Sequence, residues 1–166
     1  DGSRFIKLCI DNKVDIQATD EPISTKSPVE MLQINLLLSI ADFERSNIKS
    51  RTLQGKSSTF EAGNRAHGMI PIGYNKSMKV NDQALVVKKI FSKYNKVKSV
   101  TKVTAYINSQ DYTTNNNKSF SRKSVYNILK NPTYVGLIKF GSVTKLGNHS
   151  PIISKRLFNS VNNSLS

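Results

Sequence analysis

Two adjacent stripes in residues 41–56, ADFERSNIKSRTLQGK, carry side chains suited to gripping a phosphate. A helix turns about 100° per residue, so Glu44, Ile48, Arg51 and Gly55 fall on one stripe. Arg45, Lys49, Thr52 and Lys56 fall on the stripe beside it. An arginine fork binds two phosphate oxygens at once, and a lysine adds a mobile point charge. Glu44, paired with Arg51 or with a neighbouring domain, would hold the guanidinium in place. Gly55 costs about 1 kcal/mol of helix propensity, so it marks a close approach or a bend.

A second group stands at residues 121–130, SRKSVYNILK. Ser121 is a good N-cap, which puts Arg122, Lys123 and Ser124 in the first turn. Asn127 and Lys130 follow one and two turns on. Arginine and asparagine are the side chains that read guanine and adenine bidentately in a major groove. A basic face in contact only with solvent would have the same composition. A third group lies in residues 62–77, AGNRAHGMIPIGYNKS, where Arg65, His67 and Lys76 sit among Gly63, Gly68, Pro71 and Gly73. Such a strand suits a minor groove, whose negative potential attracts cations, or serves as a flexible tether. His67 and His149 are far apart and lack cysteine or carboxylate neighbours at ligand spacing, so no metal site is expected. There is no G-x-S-x-G, no phosphate-binding glycine loop and no paired-carboxylate motif, and no cofactor is expected.

The elements that must position these groups follow from periodicity. Ser27, Pro28 and Glu30 form a helix start with the makings of a capping box. From there to residue 62 there is no proline and only one glycine, which predicts a helix of roughly 35 residues and about 50 Å. Its first half, with Met31, Leu32, Ile34, Leu36, Leu37, Leu38, Ile40, Ala41 and Phe43, is apolar nearly all round. Such a helix must be covered on all sides, and the short segment before it is too small to do that. A partner subunit is therefore expected. Residues 4–22, RFIKLCIDNKVDIQATDEP, read as a helix end, a turn at 11–13 and a strand over 14–18, like the last part of an α/β domain.

Beyond residue 79 come helical patterns with apolar positions at 84, 86, 87, 90, 91 and 94, then at 100, 103, 105, 106 and 107. A third helix turns Val125, Ile128 and Leu129 inward and stops at Pro132. A β-hairpin is expected over 134–146, then a terminal helix packed through Leu157, Phe158 and Val161. Three helices followed by a hairpin is the order of a winged helix-turn-helix. The predicted class is mainly α with a small β component (α+β). The predicted boundaries are 1–27 for a catalytic-domain remnant, 28–62 for the long helix, 63–79 for a linker and 80–166 for a DNA-binding domain.

Charge favours the same partner. The 166 residues carry 25 Lys+Arg against 11 Asp+Glu, a net +14 with a pI near 10.0. Such an excess ordinarily meets a polyanion, nucleic acid first and an anionic membrane surface second. After Glu61 only Asp82 and Asp111 remain as acids. The lone Cys9 points to a reducing, cytoplasmic setting, and no apolar run has the ~20 residues of a membrane span.

With these residues placed, the chain resembles the large serine site-specific recombinases. Ala41, Glu44, Arg45, Ile48, Arg51 and Gly55 fit the pattern A-x-x-E-R-x-x-I-x-x-R-x-x-x-G of that family's long helix. Gly68, Pro71, Gly73 and Tyr74 fit its G-x-x-P-x-G-Y segment. The stretch Val86 to Tyr94 and the pair Ile107 and Asn108 are also similar. Val125, Ile128, Leu129, Asn131, Pro132, Tyr134 and Gly136 fit V-x-x-I-L-x-N-P-x-Y-x-G, and HSPIISKRLFNSV closes the domain. The sequence departs from the family where a Tyr-x-Arg-x-Ser segment and an Asp-Arg-x-x-Arg motif are absent, where Phe120 replaces a tryptophan, and where zinc-ribbon and coiled-coil segments do not follow. A middle fragment of such a protein is expected, without the nucleophilic serine and so without catalysis of its own.

The resemblance implies that the intact protein joins DNA through a 5′-phosphoseryl link without metal or nucleotide. It implies accessory roles at the scissile phosphate for Arg45 and Arg51, and a dimer or tetramer built on the apolar half of the helix. DNA contacts are expected from Lys49, Lys56, Arg65, His67, Arg122, Lys123, Ser124 and Asn127. The competing reading is a non-enzymatic winged-helix DNA-binding regulator, which a serine nucleophile encoded just upstream would exclude. An RNA- or membrane-binding domain lacks the aromatic stacking pattern or amphipathic surface helix it would need.

Overall fold

The computed structural model describes residues 2–12, 14 and 27–165. The expected strand over 14–18 lies outside them except for Val14. The chain divides into two compact units, Asp1–Gly55 and Lys56–Ser166.

In the first unit, α1 (Gly2–Asp11) precedes the long helix α2 (Pro28–Glu61), which has 34 residues and runs on into the second unit. The start of α2 is fixed by a reciprocal capping box. The Glu30 amide donates to Ser27 Oγ at 3.2 Å, and the Ser27 amide donates to Glu30 Oε2 at 3.0 Å. Ile34 is buried, but Val29, Leu32, Leu36, Leu37, Ile40 and Phe43 are exposed. Within this chain, then, the apolar half of α2 is mostly uncovered. The Glu44–Arg51 ion pair does not form. Seven residues separate them by about 10 Å of helix rise, too far for a salt bridge. Arg45 instead sits 3.8 Å from Asp42, one turn back, with both side chains largely in solvent.

The second unit is an α-helical body with a hairpin. Helices α3 (Ala84–Val97), α4 (Val100–Asn108) and α5 (Arg122–Lys130) pack on one another. A two-stranded antiparallel sheet follows, β1 (Leu137–Phe140) and β2 (Val143–Leu146), with Leu137 opposite Leu146 and Phe140 opposite Val143. Helix α6 (Lys155–Asn163) closes against α3 and α5. The core is built from Val87, Ile90, Phe91, Val103, Ile107, Val125, Leu129, Tyr134 and Val161, each essentially without solvent contact. Burying each such aliphatic side chain contributes roughly 1.5–3 kcal/mol.

The hairpin is shorter than the expected 134–146. Residues Pro132–Val135 form a 3-10 turn, because Asn131 Oδ1 accepts the Thr133 amide at 3.0 Å and Pro132 fits the first helical position. Gly136 ends that turn at φ 82°, a left-handed conformation that favours glycine. Only then does the extended strand begin. Pro71, Ile72, Gly73 and Tyr74, within the glycine-bearing segment read as a linker, are buried. A Cβ on Gly73 would come within 2.8 Å of Ile152 Cδ1 and 3.1 Å of the Ala84 backbone, and its φ is +91°. Tyr74 stacks on Tyr134 at 6.2 Å and donates to the Ser150 carbonyl at 2.8 Å.

Candidate nucleic-acid interface

The N-terminus of α5 is the best-defined basic element. Ser121 is extended at φ −89°, ψ 158°, and its Oγ accepts the Ser124 amide at 3.1 Å. Ser124 Oγ accepts the Ser121 amide at 2.9 Å, completing a capping box in which serine takes the usual glutamate position. The hydroxyl of Ser124 is thus engaged in holding the helix start. Arg122, Lys123 and Asn127 remain exposed on the turns above it. Val125, Ile128 and Leu129 on the opposite face are locked in the core. No acidic residue lies in the first turn, so the positive end of the helix dipole and two cations share one location. Lys130, at the other end, lies 5.4 Å from the ring centroid of Tyr126.

The loop before α5 is clamped by one side chain. Asn108 Nδ2 donates to the Phe120 carbonyl at 3.0 Å, and the Phe120 amide donates to Asn108 Oδ1 at 2.9 Å. Phe120 itself is buried beneath the helix start. Across the same loop, Asn115 Nδ2 donates to the Ile70 carbonyl at 3.2 Å. That bond places the 69–72 segment, with the exposed Met69, against the groove that also holds Ser124 and Asn127.

Arg65 and His67 have different settings. The Arg65 guanidinium folds back, its Nη1 donating to the carbonyls of Gly68 at 3.1 Å and Met69 at 2.6 Å. Burial lowers its pKa from the ordinary value, with the Tyr134 phenol opposing. It therefore braces the glycine turn while keeping part of its surface open. His67 is exposed, its ring 5.9 Å from Phe140 of β1. His149 is a strut, its Nε2–H donating to the Thr133 carbonyl at 2.8 Å and its ring edge-on to Tyr74. Among the described residues no three of His, Cys, Asp and Glu converge as metal ligands.

The last turn of α2 is anchored on the hairpin. Phe60 is buried and meets Phe140 at 5.7 Å. Lys145 Nζ lies 4.8 Å above the Phe60 ring and donates to the Glu61 carbonyl at 2.9 Å. The Asn64 amide reaches the Thr59 carbonyl and the Gly63 amide the Phe60 carbonyl, a glycine-terminated Schellman stop. Asn148 then takes the Ala62 carbonyl through its side chain at 2.7 Å and the Gly63 carbonyl through its backbone at 2.8 Å. Within α2 itself, Glu44, Arg45, Lys49, Arg51 and Lys56 all stand in solvent. A Cβ on Gly55 would meet open space.

The family described as Recombinase matches residues 81–166, more than half of the sequence. The chain belongs to the recombinase family. The family described as Resolvase, N terminal domain, matches residues 1–65, so each unit contains a family match. A solved structure reported as the crystal structure of an LSR–DNA complex has a similar fold, with a TM-score of 0.60 at 23% identity over 69% of this chain and 37% of that one. Another, concerned with the sequence requirements of the Listeria innocua prophage attP site, gives a TM-score of 0.60 at 22% identity over 69% of this chain and 50% of the other. The recombinase chain described here thus spans half or less of the length of these relatives.

Residue types alone did not single out two features of this recombinase. The anchor made by Phe60, Lys145 and Asn148 joins residues more than eighty positions apart, and no local pattern announces it. The outer face of α3 gathers Lys88, Lys89, Lys93 and Lys96 around Tyr106. The apolar spacing of that helix was legible, and the charge on its opposite side was the signal that went unused.

Proposed function

We propose that this chain is the DNA-docking and subunit-pairing portion of a serine site-specific recombinase. The observation that carries the reading is the N-terminus of α5, capped and free of acids, which presents Arg122, Lys123 and Asn127 to solvent. In this role α5 enters a major groove of a half-site, where Arg122 and Asn127 address base edges and Lys123 a phosphate. Ser124 acts chiefly by holding the helix start. The 63–72 segment, braced by Arg65, carries His67 and Met69 towards the adjacent minor groove. Lys49 and Lys56 meet the phosphodiester backbone as α2 crosses it.

In the intact enzyme Arg45 and Arg51 stand close to the scissile phosphate. There they stabilise the charge that develops when a serine oxygen attacks phosphorus and the 3′ oxygen of the neighbouring nucleotide leaves. The exposed apolar residues of α2 pair with the same residues of a second subunit, which covers a surface too large to leave in water.

A randomised duplex pool, selected on the chain and then assayed across a salt series, tests the docking role. A recovered consensus bound more tightly than its scrambled version, with Arg122→Ala relaxing the preference, is the expected outcome. Binding that depends steeply on salt but recovers no consensus would move sequence reading out of this chain. Absence of binding at moderate salt would refute the docking role itself.

A further inference from the structure

Helix α3 buries Val86, Val87, Ile90, Phe91 and Tyr94. At about 100° per residue, Lys88, Lys89 and Lys96 point away from that core, with Lys93 at the edge nearest α4. A helix face that only meets water usually mixes acids with lysines, since i,i+4 pairs of opposite charge are mildly stabilising and like charges are not. Here no acid is interspersed. Among the described residues none of the four lysines forms an ion pair. Two of them are held by aromatic rings instead. Lys93 Nζ lies 4.2 Å from the centroid of Tyr106 on α4. Lys89 Nζ lies 4.8 Å from the centroid of Tyr112 and also donates to that tyrosine's hydroxyl. Such contacts order long side chains without neutralising them. The result is an array of positive charge, about 12 Å long from Lys88 to Lys96 and held at Lys89 and Lys93, that costs the fold self-repulsion.

We infer that the lysine face of α3 is a second DNA-binding surface, one that grips the phosphates of duplex DNA without reading sequence. This rests on the DNA-docking role proposed above. The face holds no arginine, and its one asparagine, Asn95, already accepts from Ser160 Oγ and Lys98 Nζ, so it is not free to recognise a base edge bidentately. Its ammonium groups suit phosphate as point charges. The rings of Tyr106 and Tyr112 are overlaid by lysines, so they offer no stacking platform for unpaired bases, which favours duplex over single strand. The partner is thus the sugar-phosphate backbone, and this surface adds affinity while α5 supplies selectivity.

The test replaces Lys88, Lys89, Lys93 and Lys96 together by glutamine, and separately by arginine. Binding to a mixed-sequence duplex and to the duplex selected from the pool is followed across a salt series. Each phosphate contact contributes roughly 0.9 to the slope of log affinity against log salt, so the glutamine variant should lose a slope of about 3 to 4 on both duplexes. Affinity should fall by the same factor on each, leaving their ratio unchanged, and the arginine variant should restore the slope. A glutamine variant with the slope of the unmodified chain overturns the inference. So does a changed ratio, which would make the face a reader of sequence. Arg122→Ala in the same series separates the two ideas. If that substitution weakens binding while the lysine replacements do not, only the α3 surface fails. If the unmodified chain binds neither duplex, the docking role fails and the inference with it.

Discussion

Both halves of this molecule carry family motifs, for opposite physical reasons. In α2 the residues of the A-x-x-E-R-x-x-I-x-x-R pattern are on the surface. Ala41, Glu44 and Arg51 are exposed, Ile48 is 67% exposed, and Arg45 makes a single long ion pair to Asp42. Nothing in the fold of this chain demands them. In the second unit the motif residues are structural. Gly73 has no room for a Cβ, Tyr74 and Tyr134 stack, Asn108 clamps the Phe120 backbone, Asn131 caps the 3-10 turn, and Gly136 takes a left-handed conformation. A short motif can thus record either a fold or a contact with another molecule. Burial and hydrogen bonding separate the two, because a side chain in water contributes little to stability.

The comparison can be broken or sharpened by substitution. Tyr134→Ala removes a ring that is 1% exposed, stacked on Tyr74 and edge-on to Phe91, and should cost about 3–5 kcal/mol. Chemical denaturation of the chain measures it, and a loss below 1 kcal/mol would mean that the motif tyrosine does not hold the core. Arg51→Ala should leave that denaturation curve within about 0.5 kcal/mol of the original. On the proposed accessory role, it should slow strand cleavage by the intact protein by roughly 10²–10³-fold, as the loss of one stabiliser of developing charge does. Unchanged cleavage of a suicide substrate would take Arg51 out of the reacting centre.

Asn108→Ala leaves the Phe120 amide and carbonyl without their partners and should cost about 1–3 kcal/mol. Amide hydrogen exchange over the 109–121 loop should rise before the rest of the unit opens. The smallest effect is at Gly55, whose surroundings are open. Gly55→Ala should stabilise α2 by about 0.5–1 kcal/mol. If it also impairs recombination, the glycine serves a close approach by another molecule, and if recombination is unchanged that purpose is excluded.

Much of the architecture was legible from local signals. The Ser27–Glu30 capping box, the Ser121 cap, the inward faces of α3 and α5 and the stop at Pro132 depend on residues within a few positions of one another. The hairpin was placed too early because Tyr134 and Val135 have strand-like side chains. Asn131 and Gly136 decide otherwise by bonding and backbone conformation rather than by hydrophobic pattern. The role of His149 was not local, and that of Arg65, though its partners are three and four residues on, depended on backbone conformation. One is bonded to Thr133, sixteen residues away in sequence, and the other is drawn back on a turn whose shape depends on two glycines at positive φ.

By itself the sequence determined the helices, their caps, the strong positive charge and the membership that the motifs declare. These are properties of residue type and short-range spacing, and they survive without coordinates. Only the tertiary structure decided which motif residues hold the fold and which stay exposed. It alone showed that Phe60, Lys145 and Asn148 fasten the end of α2 to the hairpin, and that none of the four α3 lysines forms an ion pair among the described residues. The reason is distance. Contacts between residues eighty positions apart, and the solvent exposure of a given side chain, depend on how the whole chain packs, and no window of sequence contains that information.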